Sequence, residues 1–312
     1  MAPVSRLGLG TATLGNLRRP MCGDRARAIL ATAWACGVRH FDTAPHYGLG
    51  LAERRLGSFL HGRQGFTVST KVGRLLRPDP DWTGGLDPEG FAVPAALRRA
   101  WDLGVDGLRR SLEESLVRTG LDRVDVAYVH DPERSGTDLT PEQVVTGLVR
   151  LRDEGLVDEV GVASMTTGTL ADYAATGALD VLMVAGRHTL LDQSAATEVF
   201  PHCRRHGTRV VAAAVFNSGL LSDPSPGTAS LFDYAPATEE LLERTRRVAA
   251  ACREEGVTVT AAALQFPLLD PLVSHVVVGA AEPEHVRADV AALAEPVPAS
   301  LWERLRETGV LR

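Results

Sequence analysis

A chain of 312 residues with a formal charge of −6, and with neither a basic stripe nor a basic tail, is a poor match for nucleic acid or an anionic membrane surface. No apolar run approaches the roughly 20 residues needed to span a bilayer, and residues 1–10 lack the order of a secretory leader, so the chain is expected in the cytoplasm. Its four cysteines, Cys22, Cys36, Cys203 and Cys252, are scattered without close pairs, which fits reduced thiols better than a disulfide frame.

Short β-branched runs at residues 6–9, 38–42, 67–71, 124–130, 159–163, 181–184, 209–214 and 276–279 alternate with helical patterns at 24–36, 51–60, 106–119, 141–154, 167–176, 192–206, 239–255 and 283–293. Parallel strands need helical crossovers, and strands buried on both faces read as unbroken apolar runs. The repeat therefore predicts an α/β fold, a (β/α)8 TIM barrel forming one domain over residues 1–312; a doubly wound sheet is the alternative. Gly37, Gly120, Gly155 and Gly207 follow helical patterns where a left-handed cap is expected, and Thr140-Pro141 reads as a helix start. An extra C-terminal helix is expected at 299–307.

Two connections are too long for the bare repeat. Residues 73–103 carry Trp82, Phe91 and Trp101, and residues 217–238 carry Phe232 and Tyr234. Long loops inside a compact domain are usually functional, so these aromatics are read as pocket walls at the C-terminal face, or else as anchors of the loops. His202, Cys203 and His206 share a predicted helix beside Arg204 and Arg205; this reads as a solvated face, and no metal is expected.

Of the 33 Lys and Arg residues only Lys71 is a lysine. A chain that writes arginine everywhere else keeps a lysine where a compact ammonium is needed, one that can lower the pKa of a neighbouring acid without forking across it. Lys71 ends a predicted strand. Asp42 ends the strand before, Tyr47 follows it in the loop, and His130 ends the strand after. In a barrel the active site lies at these strand ends. There Tyr47 can give or take a proton, Lys71 lowers its pKa from about 10, Asp42 keeps Lys71 charged, and His130 holds a substrate oxygen. Each residue alone has a structural explanation; four complementary groups on neighbouring strand ends argue together for chemistry.

Gly8-Leu9-Gly10-Thr11, Phe41-Asp42-Thr43-Ala44, Tyr47-Gly48 with Glu53 and Gly57, Ser69-Thr70-Lys71 and residues 125–130 resemble the aldo-keto reductase superfamily along nearly the whole chain. The resemblance implies that Asp42, Tyr47, Lys71 and His130 are a catalytic tetrad and that a nicotinamide dinucleotide lies across the barrel mouth. His130-Asp131-Pro132, Ala185-Gly186-Arg187, and residues 189–193, 216–221 and 261–267 are similar to the branch of aldose 1-dehydrogenases and pyridoxal 4-dehydrogenases. By that likeness Gly10, Thr11, Asp42, Ser164, Met165, Phe216, Asn217, Ser218, Gly219, Leu221, Gly279, Ala280, Ala281, Glu282, His285 and Asp289 bind cofactor, while His46, Trp82, Trp101 and His188 line the substrate pocket. Met165 stands where asparagine is usual, and His188 where tyrosine is common. Gly279 and His285 replace the lysine and arginine that hold the 2′-phosphate in NADP-preferring relatives, and Glu282 and Glu284 would repel it, so NAD is preferred; Arg287 keeps NADP open. The implied reaction is oxidation of an aldose such as L-fucose, L-galactose or D-arabinose, or of a pyridoxal-like hemiacetal, to a lactone. NADPH-linked reduction of an aldehyde or ketone, and a cofactor-sensing role without turnover, are the alternatives.

Overall fold

The computed structural model describes residues 3–222, 227, 230–233 and 235–311. Eight parallel strands close into one barrel: β1 (Leu7–Gly10), β2 (His40–Asp42), β3 (Thr67–Val72), β4 (Val126–His130), β5 (Glu159–Ser164), β6 (Val181–Ala185), β7 (Arg209–Ala213) and β8 (Val273–Gly279). Each pairs with its sequence neighbours, and β8 closes onto β1 with Gly10 opposite Gly279. Around them lie α1 (Gly23–Ala35), α2 (Leu51–Leu60), α3 (Val105–Thr119), α4 (Pro141–Asp153), α5 (Thr167–Ala175), α6 (Ser194–Glu198), α7 (Phe200–His206), α8 (Glu239–Glu254), α9 (Val259–Gln265), α10 (Pro283–Ala294) and α11 (Ala299–Glu307).

The helix ends follow the local chemistry. Thr140 and Gln143 form a reciprocal capping box with Pro141 at the first helical position of α4. Gly37, Gly120, Gly155 and Gly207 all adopt positive φ (91°, 66°, 73° and 74°) just beyond helices, where a side chain would be strained. The predicted helix at 192–206 is instead two pieces, α6 and α7. Val199 departs to φ −109° between them, and Pro201 lies in the first turn of α7, a position where its missing N–H costs nothing. The short, alanine-rich α9, capped by Thr258, was not expected.

Strand periodicity positions the site. Successive residues of a strand face opposite sides. In β4, Ala127 and Val129 join the large core under the helices, whereas Val126 and Tyr128 join a separate cluster inside the barrel with Ala163, Val181, Met183, Val211 and Val277. The same two-residue step carries His130, Lys71 and Asp42 to the inside at the C-terminal ends of β4, β3 and β2.

The first long connection is a hairpin, with Arg74–Pro78 antiparallel to Leu97–Trp101. The second contains Leu231–Phe232 paired with Ala235–Pro236. Tyr234 lies outside the described residues. Among the described residues no helix is long and apolar enough to cross a membrane.

Candidate active site

Asp42 and Lys71 are almost fully buried, 3 % and 2 % exposed. The ammonium donates to Asp42 Oδ2 at 2.6 Å and to the Thr43 carbonyl at 3.0 Å, while Ser69 Oγ donates to Asp42 Oδ1 at 2.7 Å. Burial works against a charged lysine, but the attractions of Asp42 and Tyr47 outweigh it and the Lys71 pKa is raised. Lys71 therefore stays a cation although it lies inside the barrel, with Nζ 4.8 Å from the centre of the Tyr47 ring.

Backbone contact aims Tyr47 at this ammonium. Gly48 has φ +62°, and a Cβ there would lie 2.2 Å from the Gly15 carbonyl oxygen; a Cβ on Gly15 would lie 2.6 Å from the Tyr47 carbonyl carbon. Two glycines thus let the loop after β1 pack directly against the loop that carries Tyr47. Glu53, wholly buried in α2, accepts from Arg118 of α3 and from Thr70, the neighbour of Lys71. Its carboxyl pKa is raised by burial, against the pull of Arg118.

His130 completes the group, edge-on to Tyr47 with ring centres 5.9 Å apart. Burial first, then Arg74, Lys71, His46 and Arg134, hold its pKa well below the usual histidine range, so the ring is neutral. Its Nδ1 is buried without a partner. His46 stands 5.4 Å from His130 and 5.1 Å from Phe91, ring centre to centre. The structure thus brings together all four tetrad residues and one of the pocket residues expected from sequence.

It adds a charged frame that sequence reasoning missed. Arg74, 2 % exposed, pairs with Asp131 and lies 4.4 Å above the Trp101 ring. Arg99 forks onto Asp87 at 2.7 and 2.6 Å and also donates to His46 Nδ1 at 2.5 Å. Arg134 bonds Glu89 at 3.1 Å. The motif His130-Asp131-Pro132 drew attention to Asp131, but its partner is 57 positions away on the hairpin.

Trp101 therefore supports Arg74 from the hairpin. Trp82 stands 40 % exposed, its indole donating to the Gly85 carbonyl at 3.3 Å, outside the ring cluster of His46, Tyr47, Phe91 and His130. His188 is a correction: it is buried between Phe200 and Phe266, with ring centres 4.6 and 5.1 Å away, in the layer between barrel and helices rather than in a pocket at the mouth. Burial lowers its pKa to about 4.

Beyond the tetrad, the strand ends form a rim of small and turn residues. Gly279 is exposed opposite Gly10, and an added Cβ would meet nothing closer than 3.8 Å. Thr11 is buried, its hydroxyl and its N–H both donating to the Asp42 carbonyl at 2.9 Å, so it braces β2. After β7 the chain turns tightly through residues 214–222; Asn217, Ser218 and Gly219 all have positive φ (45°, 60° and 97°). The turn leaves Phe216 half-buried and Leu221 fully buried. Asn217 is 1 % exposed, and its Nδ2 donates to the Gly186 carbonyl at 3.3 Å while Oδ1 is buried without a partner. Ser164 Oγ donates to Glu133 at 2.6 Å, and Met165 lies beside Gly186 with its carbonyl accepting from Arg187 at 2.8 Å. Arg187 also pairs with Asp233 at 2.5 Å, tying the second long loop to the rim.

This rim suits an extended ligand with donors and acceptors along its length. A nicotinamide dinucleotide fits the donor set: a half-buried aromatic at Phe216, the orphaned Oδ1 of Asn217, and strand ends open at Gly10 and Gly279. At the far corner Ala280 accepts from Thr13 Oγ1 at 2.6 Å, Ala281 N–H donates to His285 Nδ1 at 3.4 Å, and Glu282 faces Arg25 at 3.1 Å and Arg19 at 3.9 Å. Arg287 is held by Glu284 at 3.0 Å. Asp289 differs from expectation: it lies on the inner face of α10, in a small space lined by Leu7, Leu9, Val38, Val278 and Val286, rather than displayed at the rim. Burial pushes its pKa up to about 7.

Comparison with known proteins agrees with this geometry. The Aldo/keto reductase family matches residues 6–309. A D-threo-aldose 1-dehydrogenase from a Pseudomonas species is 46% identical over 99% of this chain and 95% of its own length. A pyridoxal 4-dehydrogenase from Microbacterium luteolum is 34% identical, with 99% and 95% covered. Among solved structures, an aldo-keto reductase from Bacillus halodurans superposes with a TM-score of 0.72 at 23% identity, covering 97% of this chain and 91% of that one, a likeness of fold. A barrel with these strand ends, matched over this length, is an oxidoreductase, and the chain belongs to the aldo/keto reductase family.

Proposed function

We propose that the protein oxidises an aldose, of the threo class named for its 46%-identical relative, at the anomeric carbon to the lactone, with NAD preferred over NADP. The observation that carries the reading is Lys71, buried yet charged, bonded to Asp42 at 2.6 Å and held against Tyr47. A nicotinamide cofactor held at Phe216, Asn217 and the strand ends at Gly10 and Gly279 would supply the hydride acceptor.

Everything else falls to side chains. Tyr47 takes the proton of the anomeric hydroxyl as the carbonyl forms. Lys71 stabilises the negative charge on the phenol oxygen, and Asp42 keeps the ammonium in place and charged. His130, neutral and edge-on to Tyr47, orients the hydroxyl without competing for its proton. Around the pocket Arg74, Arg99 and Arg134 are matched by Asp131, Asp87 and Glu89. With those guanidiniums engaged, a neutral sugar suits the site better than a sugar phosphate.

One observation favours a second reading, reduction of an aldehyde or ketone with NADPH: Arg19 and Arg25 stand at the Glu282 corner, where a phosphate could be met. The test is nicotinamide absorbance with L-fucose, L-galactose, D-arabinose and pyridoxal offered in turn with NAD and NADP. Reduction of NAD by an aldose, lost in Tyr47→Phe, is expected. Silence with every sugar, together with NADPH consumption by a simple aldehyde, would replace it with the reductase reading.

A further inference from the structure

We infer that His46 is a substrate-orienting residue, whose Nε2–H donates to the oxygen on the carbon next to the reacting one, and that Arg99 and Asp87 hold it in that role. The inference rests on the proposed site but not on the direction of the reaction. A guanidinium has only donors, so the 2.5 Å contact from Arg99 Nε to His46 Nδ1 makes that nitrogen an acceptor without a proton. A neutral imidazole with a bare Nδ1 carries its proton on Nε2. Burial, followed by Arg74, Arg99, Arg134 and Lys71, lowers the His46 pKa to about 2, so the ring remains neutral. His46 is thus a donor with a fixed tautomer.

Arg99 is not free to release the ring: its side chain is 6 % exposed, it forks onto Asp87, 1 % exposed, at 2.7 and 2.6 Å, and it also donates to the His46 carbonyl at 2.9 Å. Phe91 closes the other side, edge-on at 5.1 Å. The hairpin thereby clamps one imidazole through main chain and side chain together.

Among the described residues, buried ring nitrogens without partners occur at His40, His130, His188 and His275, but His46 Nε2 is not one of them, and no acceptor among these residues takes its proton. It therefore opens to solvent beside Tyr47 and His130, whose ring centres are 6.0 and 5.4 Å away. With a substrate oxygen held between Tyr47 and His130, whose ring centres lie 6.0 and 5.4 Å from that of His46, the oxygen on the neighbouring carbon is the acceptor assigned to this donor. The class of ligand is a 2-hydroxy-substituted aldose or aldehyde, recognised by an acceptor oxygen next to the reacting carbon.

Two measurements decide it. Long-range ¹⁵N–¹H correlation on histidine-labelled protein, with His46 assigned by its loss in His46→Gln, should show the proton on Nε2; a proton on Nδ1 would overturn the inference whatever the enzyme oxidises. In kinetics, kcat/KM is compared for oxidation of D-arabinose and its 2-deoxy analogue, and for reduction of lactaldehyde and propanal, which differ only in the 2-hydroxyl. The parent should prefer the hydroxylated partner by about tenfold or more, since a site built to bond an oxygen rejects its absence. His46→Leu should bring that ratio near one; His46→Gln, which keeps a donor at similar reach, should retain part of it. An equal loss on both partners in either variant would make His46 a merely structural residue and sink the proposal. If no aldose is oxidised while lactaldehyde is reduced, the dehydrogenase reading fails, and the lactaldehyde-to-propanal ratio decides this one.

Discussion

The two ends of the barrel bury ionisable groups in opposite ways. At the C-terminal mouth, Asp42 and Lys71 are both nearly inaccessible and meet at 2.6 Å, and the pull of the carboxylate and of Tyr47 keeps the lysine charged. At the N-terminal floor, His40 stacks on His275 with ring centres 5.2 Å apart, and among the described residues no carboxylate bonds either ring; Glu159 is taken by Arg209. Burial first, then repulsion from the neighbouring His275 and Arg209, lowers the His40 pKa to about 3, and His275 is lowered by burial and by Arg209 and Arg6. Partial or full removal from water thus accompanies a maintained ion at one end and neutral rings at the other. A supplied counter-charge makes the difference. The mouth holds charge where chemistry needs it, and the floor closes the barrel with polar groups that stay uncharged.

Removing the mouth's acid–base group breaks the comparison most severely. Tyr47→Phe should cost about 10²- to 10⁴-fold in kcat, the usual contribution of a positioned acid or base, while cofactor binding followed by fluorescence survives. Lys71→Arg should lose activity on a similar scale, because a planar fork cannot occupy the point between Asp42 Oδ2 and the Thr43 carbonyl. Retention of most activity by Lys71→Arg would show that charge alone suffices.

The floor should respond in stability instead. Histidines with lowered folded pKa values bind protons more readily when unfolded, so stability falls as pH drops below about 6.5, by up to about 1.4 kcal/mol per pH unit for each such ring. For His40 the loss continues down to about pH 3, where the folded ring titrates. His40→Asn should remove one proton from the uptake on unfolding between pH 6 and 4 and leave neutral-pH kinetics intact; an unchanged slope of stability against pH would place the acid sensitivity in the other buried histidines. Gly8→Ala should destabilise by about 1–3 kcal/mol, the usual cost of overpacking, because the new Cβ would lie 2.6 Å from His40 Cδ2. Urea unfolding of Gly8→Ala with and without His40→Asn would show whether that ring is the obstacle.

Legibility followed the range of the interaction. Asp42, Lys71 and His130 could be placed from sequence because strand period and strand end are local properties, and the glycine caps could be placed because a left-handed residue announces itself. Arg74, Arg99 and their carboxylate partners were illegible, since Asp131 lies 57 positions from Arg74 and only the hairpin brings them together. His188 misled for another reason. It follows the turn at Gly186 (φ 71°), after which Thr189 and Asp192 bond each other's backbone and fold the segment back under α7, a path that composition does not reveal. Asp289, by contrast, could have been read: with Val286, Ala292 and Leu293 it completes the buried stripe of α10 at helical spacing.

The smallest expected effect sharpens the contrast between the rim and the mouth. Charge at the mouth is locked in a buried pair, whereas at the β8–α10 corner Glu282 is nearly one-third exposed and faces Arg25 and Arg19, themselves 43% and 63% exposed. Exposed pairs contribute about 1 kcal/mol or less and are screened by salt. Glu282→Gln frees Arg25 and removes a repulsion from a 2′-phosphate, so kcat/KM for NADP relative to NAD should rise by a few-fold at low salt and shrink in high salt. Arg25→Gln in the same background should reverse the gain. A ratio that ignores both changes would mean that cofactor choice is set elsewhere, without help from the acidic corner.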